Sequence, residues 1–224
     1  MKNLVFRYLF LCCLCVCIEG ISAKDRVISW QAPEGIELNN DFTVQIRSNE
    51  KGKWMTIPTY LVKVDEVREA THHVENASMA TFDFWGKVEI AVTYNKGKID
   101  SARVRPLSYG IPFTTEDNTI KFALEKPANL SVEVNGDIFH NLHLFANPID
   151  TFKVDKKNLD LIFFGPGIHR FEGGEFRIPS GKTVYVAGGA VMMGRMLIEN
   201  AHDVKLLGRG IIDPSVKMGI RIAN

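Results

Sequence analysis

Three tryptophans are the residues of this sequence best suited to bind a ligand by stacking, because an exposed indole offers a flat apolar face, for example to a sugar ring. They are Trp30, Trp54 and Trp85. In a β-sheet protein an indole more often fills the core, and that is the role predicted for Trp85 within the aromatic-rich segment 82–86. Trp54 follows Lys51-Gly52-Lys53, which predicts an exposed loop, so Trp54 is the candidate substrate-binding residue.

Asp213 ends a predicted strand and has the chemistry of a glycosidase acid. Hydrolysis of a glycosidic bond uses two carboxyl groups. No second carboxylate stands near Asp213 in sequence, and Met193 occupies the aligned position of the preceding repeat. Because Asp often forms turns and Pro214 follows, we predict a turn-forming role and assign no catalytic residue.

Two histidine pairs are candidate metal ligands, since imidazole is a common ligand of zinc. His72 and His73 have no second ligand pair at zinc spacing, so a surface loop is predicted for them. His140 and His143 are three residues apart, which places them on opposite faces of a strand. The sequence therefore predicts no metal site.

Other polar residues fall near predicted chain corners, namely His169-Arg170 and His202 beside Asp203. They have the chemistry to bind an anionic sugar, but the expected role is capping of exposed backbone. No Ser/His/Asp order, phosphate-binding loop or dinucleotide fingerprint is present, so no cofactor is predicted.

The amino terminus determines the expected compartment. Lys2 and Arg7 precede an apolar run, Leu9–Ile18, and small residues follow up to Ala23. This order is typical of a secretory signal peptide over residues 1–23. The apolar run is too short to cross a bilayer, which needs about 20 residues. We expect a secreted or periplasmic protein, with no stable membrane insertion after cleavage.

Removal of that segment would also remove all four cysteines and leave a formally neutral chain. A neutral chain has no electrostatic footprint for nucleic acid, which excludes that class of partner.

Residues 24–150 have the alternating pattern of strands with one buried face. Examples are Phe42, Val44 and Ile46, with polar residues between them, and the later run Leu130–Val134. Asn135-Gly136 is typical of a tight hairpin turn. These short strands predict an antiparallel β-sandwich.

Residues 151–224 repeat a pattern of β-branched residues and glycines. The block Leu161–Ile168 aligns with Val184–Val191 and then with Val204–Ile211, at offsets of 23 and 20. A period in the low twenties indicates a solenoid. The absence of a Leu/Asn ladder and the glycine-rich corners favour the first turns of a right-handed parallel β-helix.

These blocks resemble a known enzyme group. Gly165–His169, Ile178–Val191 and Leu207–Asp213 are similar to the entry turns of the polygalacturonase-like enzymes, glycoside hydrolase family 28 and its dextranase relatives in family 49. Leu130–Gly136 and Asn141–Pro148 resemble the β-sandwich that precedes the helix in bacterial members. The resemblance implies a pectin-lyase-like fold and secreted, inverting hydrolysis of a polysaccharide such as polygalacturonan.

The resemblance does not extend to the family's catalytic motifs. Asn-Thr-Asp, Asp-Asp, Gly-His-Gly and Arg-Ile-Lys are all absent, and the nearest match is Arg221-Ile222-Ala223. We therefore expect the amino-terminal portion of a glycosidase that hydrolyses a plant or microbial polysaccharide only as a full-length protein. Whether the chain itself belongs to an enzyme stays open. The alternatives are a non-catalytic carbohydrate-binding or surface module, and a fragment of a β-helix polysaccharide lyase.

Overall fold

The computed structural model of the protein describes residues 25–48, 52–217 and 219–223. The predicted signal peptide and its cysteines lie outside the described residues.

The described residues form eighteen strands and one short 3-10 helix, Leu107–Tyr109. The strands are β1 (Arg26–Ile28), β2 (Phe42–Arg47), β3 (Met55–Ile57), β4 (Tyr60–Arg68), β5 (Thr71–Trp85), β6 (Val88–Tyr94), β7 (Ala102–Arg105), β8 (Phe113–Glu116), β9 (Thr119–Leu124), β10 (Ala128–Val134), β11 (Asp137–Pro148), β12 (Leu161–Phe164), β13 (Gly167–Arg177), β14 (Thr183–Val186), β15 (Ala190–Glu199), β16 (Lys205–Gly208), β17 (Ile211–Asp213) and β18 (Ile220–Ala223). The predicted all-β class is confirmed.

Strands β1 to β11 form two facing sheets. One has the order β1-β5-β11-β10-β7, with β4 also paired to β5, and the other has the order β3-β2-β6-β9-β8. Alternating residues point to opposite faces of a strand, so Phe42, Val44 and Ile46 of β2 are buried. The inner faces of both sheets share one hydrophobic core, which gives the predicted sandwich.

The sandwich is not wholly antiparallel, which corrects the prediction. β11 runs parallel to β5, with Leu142 opposite Ser78 and Pro148 opposite Phe84. Asn135 and Gly136 form the predicted turn at φ of 56° and 77°. The turn between β10 and β11 sets the direction of β11, which is not connected to β5 by a turn. The alternation of apolar residues does not show whether two paired strands run parallel or antiparallel.

A second correction concerns His72 and His73, which lie in β5 and not in a loop. They pair with Val67 and Glu66 of β4 in a long hairpin. Cross-strand pairing continues up to the tip, where Glu69 and Ala70 have positive φ. The prediction of a loop rested on the lack of a second ligand pair, which carries no information about secondary structure.

Strands β12 to β18 form stacked coils through two parallel sheets. β12, β14 and β16 form the first sheet, and β13, β15 and β17 form the second, in which β18 also pairs with β15. The predicted parallel β-helix is confirmed, and its last described strand, β18, pairs with β15.

The predicted repeat alignment holds in only one of these sheets. Ile168, Val191 and Ile211 are neighbours, as expected. In the first sheet, however, Ile162 lies opposite Val184 and Val184 opposite Leu206. Both offsets there are 22 residues, in place of the predicted 23 and 20.

The corners explain the shift. Between the paired positions of the two sheets, three residues separate Phe164 from Ile168, four separate Val186 from Val191, and two separate Gly208 from Ile211. A sequence alignment that matches the glycines of corners with different lengths therefore places the strands before those corners out of register. A slip of one residue would turn each side chain to the opposite face, whereas Val184 and Val186 both lie in the coil core.

The sandwich packs against the second coil through Trp30. Its indole lies on Gly188, where an added Cβ atom would fall 2.1 Å from the ring. A residue with a side chain at position 188 is thus incompatible with this contact. Trp30 is partly buried here.

Candidate functional site

A cleft of about 540 Å³ lies on the outer face of the sheet formed by β3, β2, β6, β9 and β8. The outward residues of three neighbouring strands line it in cross-strand rows. Arg47 lies opposite Glu89, and Gln45 lies opposite Ala91, which in turn faces Lys121. The outward-facing half of each alternating strand therefore builds the cleft.

Trp54 lies at this cleft, in the segment just before β3. The guanidinium carbon of Arg47 is 4.5 Å from the centre of a Trp54 ring. Arg47 in turn donates from Nε to Glu89 Oε2 at 2.6 Å. These contacts hold the indole in place while 37% of Trp54 stays exposed. The loop position predicted for Trp54 agrees with the structure.

Uncharged polar groups also line the cleft, beside the charged side chains of Arg47, Glu89 and Lys121. The hydroxyls of Thr93 and Thr119 are 2.9 Å apart, and Gln45 donates to Thr56 Oγ1 at 3.4 Å. Ala91 leaves room between the rows. The arrangement offers a flat apolar ring beside several hydrogen-bonding groups, which suits binding of a hydroxyl-rich ligand.

The cleft is not equipped for glycosidic hydrolysis. Glu89 is the one carboxylate that lines it in the described structure, and it is held in an ion pair with Arg47. Hydrolysis requires a second carboxyl group placed to act on the same bond. Among the described residues, the cleft therefore contains no acid and base pair.

Sequence reasoning identified Trp54 but missed Arg47, Glu89, Gln45 and Lys121. Each is the polar member of an alternating run that predicted a strand, so the signal was present as outward-facing residues. Their convergence depends on β2, β6 and β9 being neighbours, which local patterns do not specify.

Trp85 is 60% exposed, which corrects the prediction that it fills the core. Alternation explains the error, because Phe82 and Phe84 of β5 occupy the buried positions and Trp85 falls on the other face. It lies outside the Trp54 cleft.

The turn-forming role predicted for Asp213 is confirmed. Its Oδ1 accepts a hydrogen bond from the Ser215 backbone N–H at 2.8 Å. Met193 is its neighbour in β15, as the alignment predicted.

The corner histidines contact their own chain. His169 Nε2 is 2.7 Å from the Gly165 carbonyl oxygen, so it caps backbone as expected, and Arg170 is exposed. His202 Nδ1 lies 2.9 Å from Asp203 Oδ2 on the surface. Neither group lines the Trp54 cleft.

His140 and His143 have different surroundings. His140 Nδ1 is 2.9 Å from Asp137 Oδ2, and its Nε2 is 3.2 Å from Glu75 Oε2. The hydrogen bond to Asp137 raises the pKa of His140, and the charges of Glu75 and Asp41 act in the same direction. Burial lowers the pKa of His143.

We expect replacement of His140 by glutamine to remove a pH-dependent part of the stability. A raised folded-state pKa means that His140 stabilises the protein fully below its unfolded pKa, about 6.5, and that this contribution is lost as pH rises through the folded value. Thermal unfolding should show a deficit of about 0.2–1 kcal/mol near pH 5.5, shrinking towards pH 8.5. His143 affects the stability of the wild type and of the His140→Gln variant equally, so it does not contribute to the difference between them.

His202→Gln is the matched control. The side chain of His202 is 81% exposed and contacts the adjacent Asp203. The melting temperature of the His202→Gln variant should therefore equal that of the wild type at both pH values. A deficit for His140→Gln that is constant with pH would contradict the assigned role.

A second group of polar residues joins the sandwich to the coils. Arg209 Nε donates to Asp83 Oδ1 at 2.7 Å, and the Asp150 N–H donates to Asp83 Oδ2 at 2.9 Å. Tyr185 donates its hydroxyl to Asp150 Oδ2 at 2.9 Å. Burial raises the pKa of Asp83, and burial together with the Asp150 bond raises the pKa of Tyr185 to about 12. Both oxygens of Asp83 are thus engaged in holding the two units together.

Within the described residues, no three His, Cys, Asp or Glu side chains are grouped as metal ligands. No helix in that part of the chain has the length and apolar character needed to span a bilayer.

Comparisons with known proteins support the fold. No family model matches the sequence, and no match was found among curated proteins. Among solved structures, Dex49A from Penicillium minioluteum is similar with a TM-score of 0.62 at 14% sequence identity. The two chains share their fold. The likeness covers 83% of this chain and 50% of that chain, so the chain spans half the length of Dex49A.

The similarity extends beyond the repeat that first indicated a β-helix. Neither the sandwich nor the coils alone make up 83% of the chain, so the shared fold includes residues from both. The predicted pectin-lyase-like architecture, a sandwich followed by a parallel β-helix, is confirmed.

Proposed function

We propose that this chain is the amino-terminal part of a secreted or periplasmic, polysaccharide-acting β-helix protein of the glycoside hydrolase type. Its sandwich contributes a carbohydrate-binding cleft around Trp54. The resemblance of the coil motifs to families 28 and 49 supports the class of protein, and the fold shared with Dex49A agrees with it. Hydrolysis belongs to the full-length protein and needs carboxylates outside this cleft. The secretory route rests on the signal segment at residues 1–23.

The observation that carries the binding role is the half-exposed Trp54 ring held over an open polar cleft. Sugar rings present C–H groups on one face and hydroxyls at their edges. The indole suits the first, while Gln45, Thr93 and Thr119 suit the second. The same cleft, with one ion-paired carboxylate, favours binding over hydrolysis by this part of the protein.

Replacing Trp54 by alanine should weaken polysaccharide binding at least about tenfold. Aromatic anchors commonly contribute more than 1.4 kcal/mol at binding sites, and that free energy corresponds to a factor of ten in Kd. Affinity electrophoresis through gels containing soluble glycans would measure the change, with calorimetry on the glycan that retards the wild type most.

Trp85→Ala is the control, because Trp85 is another exposed tryptophan and lies outside the cleft. It should bind as the wild type does. Equal weakening by both variants would contradict a site at Trp54. The purified wild-type chain should release no reducing sugar from polygalacturonan.

A further inference from the structure

We infer that the Trp54 cleft selects neutral glycans and rejects polyuronates. This inference rests on the proposed function, and it specifies the class of sugar that the cleft accepts. It derives from the way in which the charges in the cleft are compensated.

The first cation at the cleft, Arg47, is already committed to a carboxylate. Its Nη2 and Nε atoms lie 2.5 and 2.6 Å from Glu89 Oε2. Both side chains are mostly buried, with 22% and 16% exposed. A uronate that approaches Arg47 therefore meets the negative charge of Glu89 at almost the same distance. Displacing Glu89 would exchange one carboxylate for another and leave a partly buried charge without its partner.

The second cation at the cleft, Lys121, also has a partner. Its Nζ lies 2.5 Å from Glu116 Oε2 across the β8–β9 pair. This pair is exposed and screened by water, so its energy is small. It nevertheless cancels the charge that a polyanion would experience at longer range. Lys53, although adjacent to Trp54 in sequence, does not line the cleft.

The groups that remain for a ligand are uncharged. Gln45, Thr93 and Thr119 offer hydroxyl and amide groups, and Trp54 offers an apolar face. Such groups match a neutral sugar. A polyuronate carries one negative charge on each residue and gains no uncompensated positive charge in return.

A comparison of glycans tests the selection. The wild-type protein should be retarded by at least one neutral polysaccharide from a panel of dextran, xylan and mixed-linkage glucan, and Trp54→Ala should abolish this retardation. The binding should change less than about twofold between 50 and 500 mM salt, because no net charge is engaged. Polygalacturonate of matched size should not retard the protein.

Glu89→Gln provides a gain of function. It keeps the shape of the side chain and removes the carboxylate charge beside Arg47, so binding to polygalacturonate should rise at least about tenfold at 50 mM salt and disappear at 500 mM. Glu116→Gln changes an exposed pair and should act in the same direction through Lys121, which keeps the test valid if Glu89→Gln does not fold.

The outcomes separate the inference from the proposed function. Trp54-dependent binding of polygalacturonate by the wild type would overturn the selection for neutral glycans and leave carbohydrate binding intact. Absence of Trp54-dependent binding to any of these glycans would overturn both. Failure of both glutamine variants to gain affinity for polygalacturonate would contradict the role given to charge compensation.

Discussion

Replacing Gly208 by alanine should destabilise the coil region by about 2–6 kcal/mol. A Cβ atom at this position would lie 1.9 Å from the Val186 carbonyl oxygen of the coil beneath. Gly208 also has φ of 118°, which side chains rarely tolerate. Backbone strain of about 1–3 kcal/mol adds to overpacking of about 1–3 kcal/mol. The melting temperature followed by circular dichroism should fall by roughly 10 °C.

Gly97→Ala isolates the effect of the close approach. Gly97 also has positive φ, at 143°, but no atom lies within 4 Å of its added Cβ. This variant should therefore lose only the part due to backbone strain. If both glycine variants melt at the same temperature, contact between stacked coils does not determine the need for glycine at 208.

Replacing Arg209 by alanine should cost about 3–5 kcal/mol, because it leaves a buried carboxylate without its cation. The side chain of Asp83 is 1% exposed, and Arg209 is its charged partner across the joint. Arg209 also donates to the Pro148 carbonyl oxygen at 2.9 Å. We expect a lower melting temperature and faster proteolysis near the linker that follows β11.

Arg177→Ala is the matched control. Arg177 pairs with Glu199 on the surface of the coils, with 60% of the arginine side chain exposed, and its loss should leave the melting temperature nearly unchanged. If the two arginine variants are equally stable, the Asp83–Arg209 pair is not what joins the sandwich to the coils.

Acid provides an independent test of the Arg209 result. Burial raises the pKa of Asp83 even beside Arg209. Without the arginine, the pKa of Asp83 rises further. At high pH, the buried and unpaired carboxylate destabilises the Arg209→Ala variant. This destabilisation disappears as pH falls through the folded-state pKa, because Asp83 then becomes protonated and neutral. The gap in stability between wild type and Arg209→Ala should therefore narrow at acidic pH. A gap that widens would indicate lost packing in place of an unpaired charge.

The fold could be predicted well from local patterns. Alternation in runs such as Phe42–Ile46 requires one buried face, and the regular glycines after Leu161 require close stacking of coils. The functional residues could be predicted only in part. Trp54 stood out because it follows a polar, glycine-containing segment, whereas Trp85 was misplaced because an aromatic-rich segment does not show which of its residues face outward.

The sequence by itself determined the all-β class, the order of sandwich and coil, and one aromatic candidate for carbohydrate contact. The alternation of apolar residues and the positions of glycines are local properties, so they can be recognised in the sequence. Only the tertiary structure decided that Arg47 meets Glu89 under Trp54, and that Asp83 meets Arg209 across the joint. These partners are 42 and 126 residues apart in sequence. Their meeting depends on strand order, strand direction and corner length, which the packing of the whole chain selects.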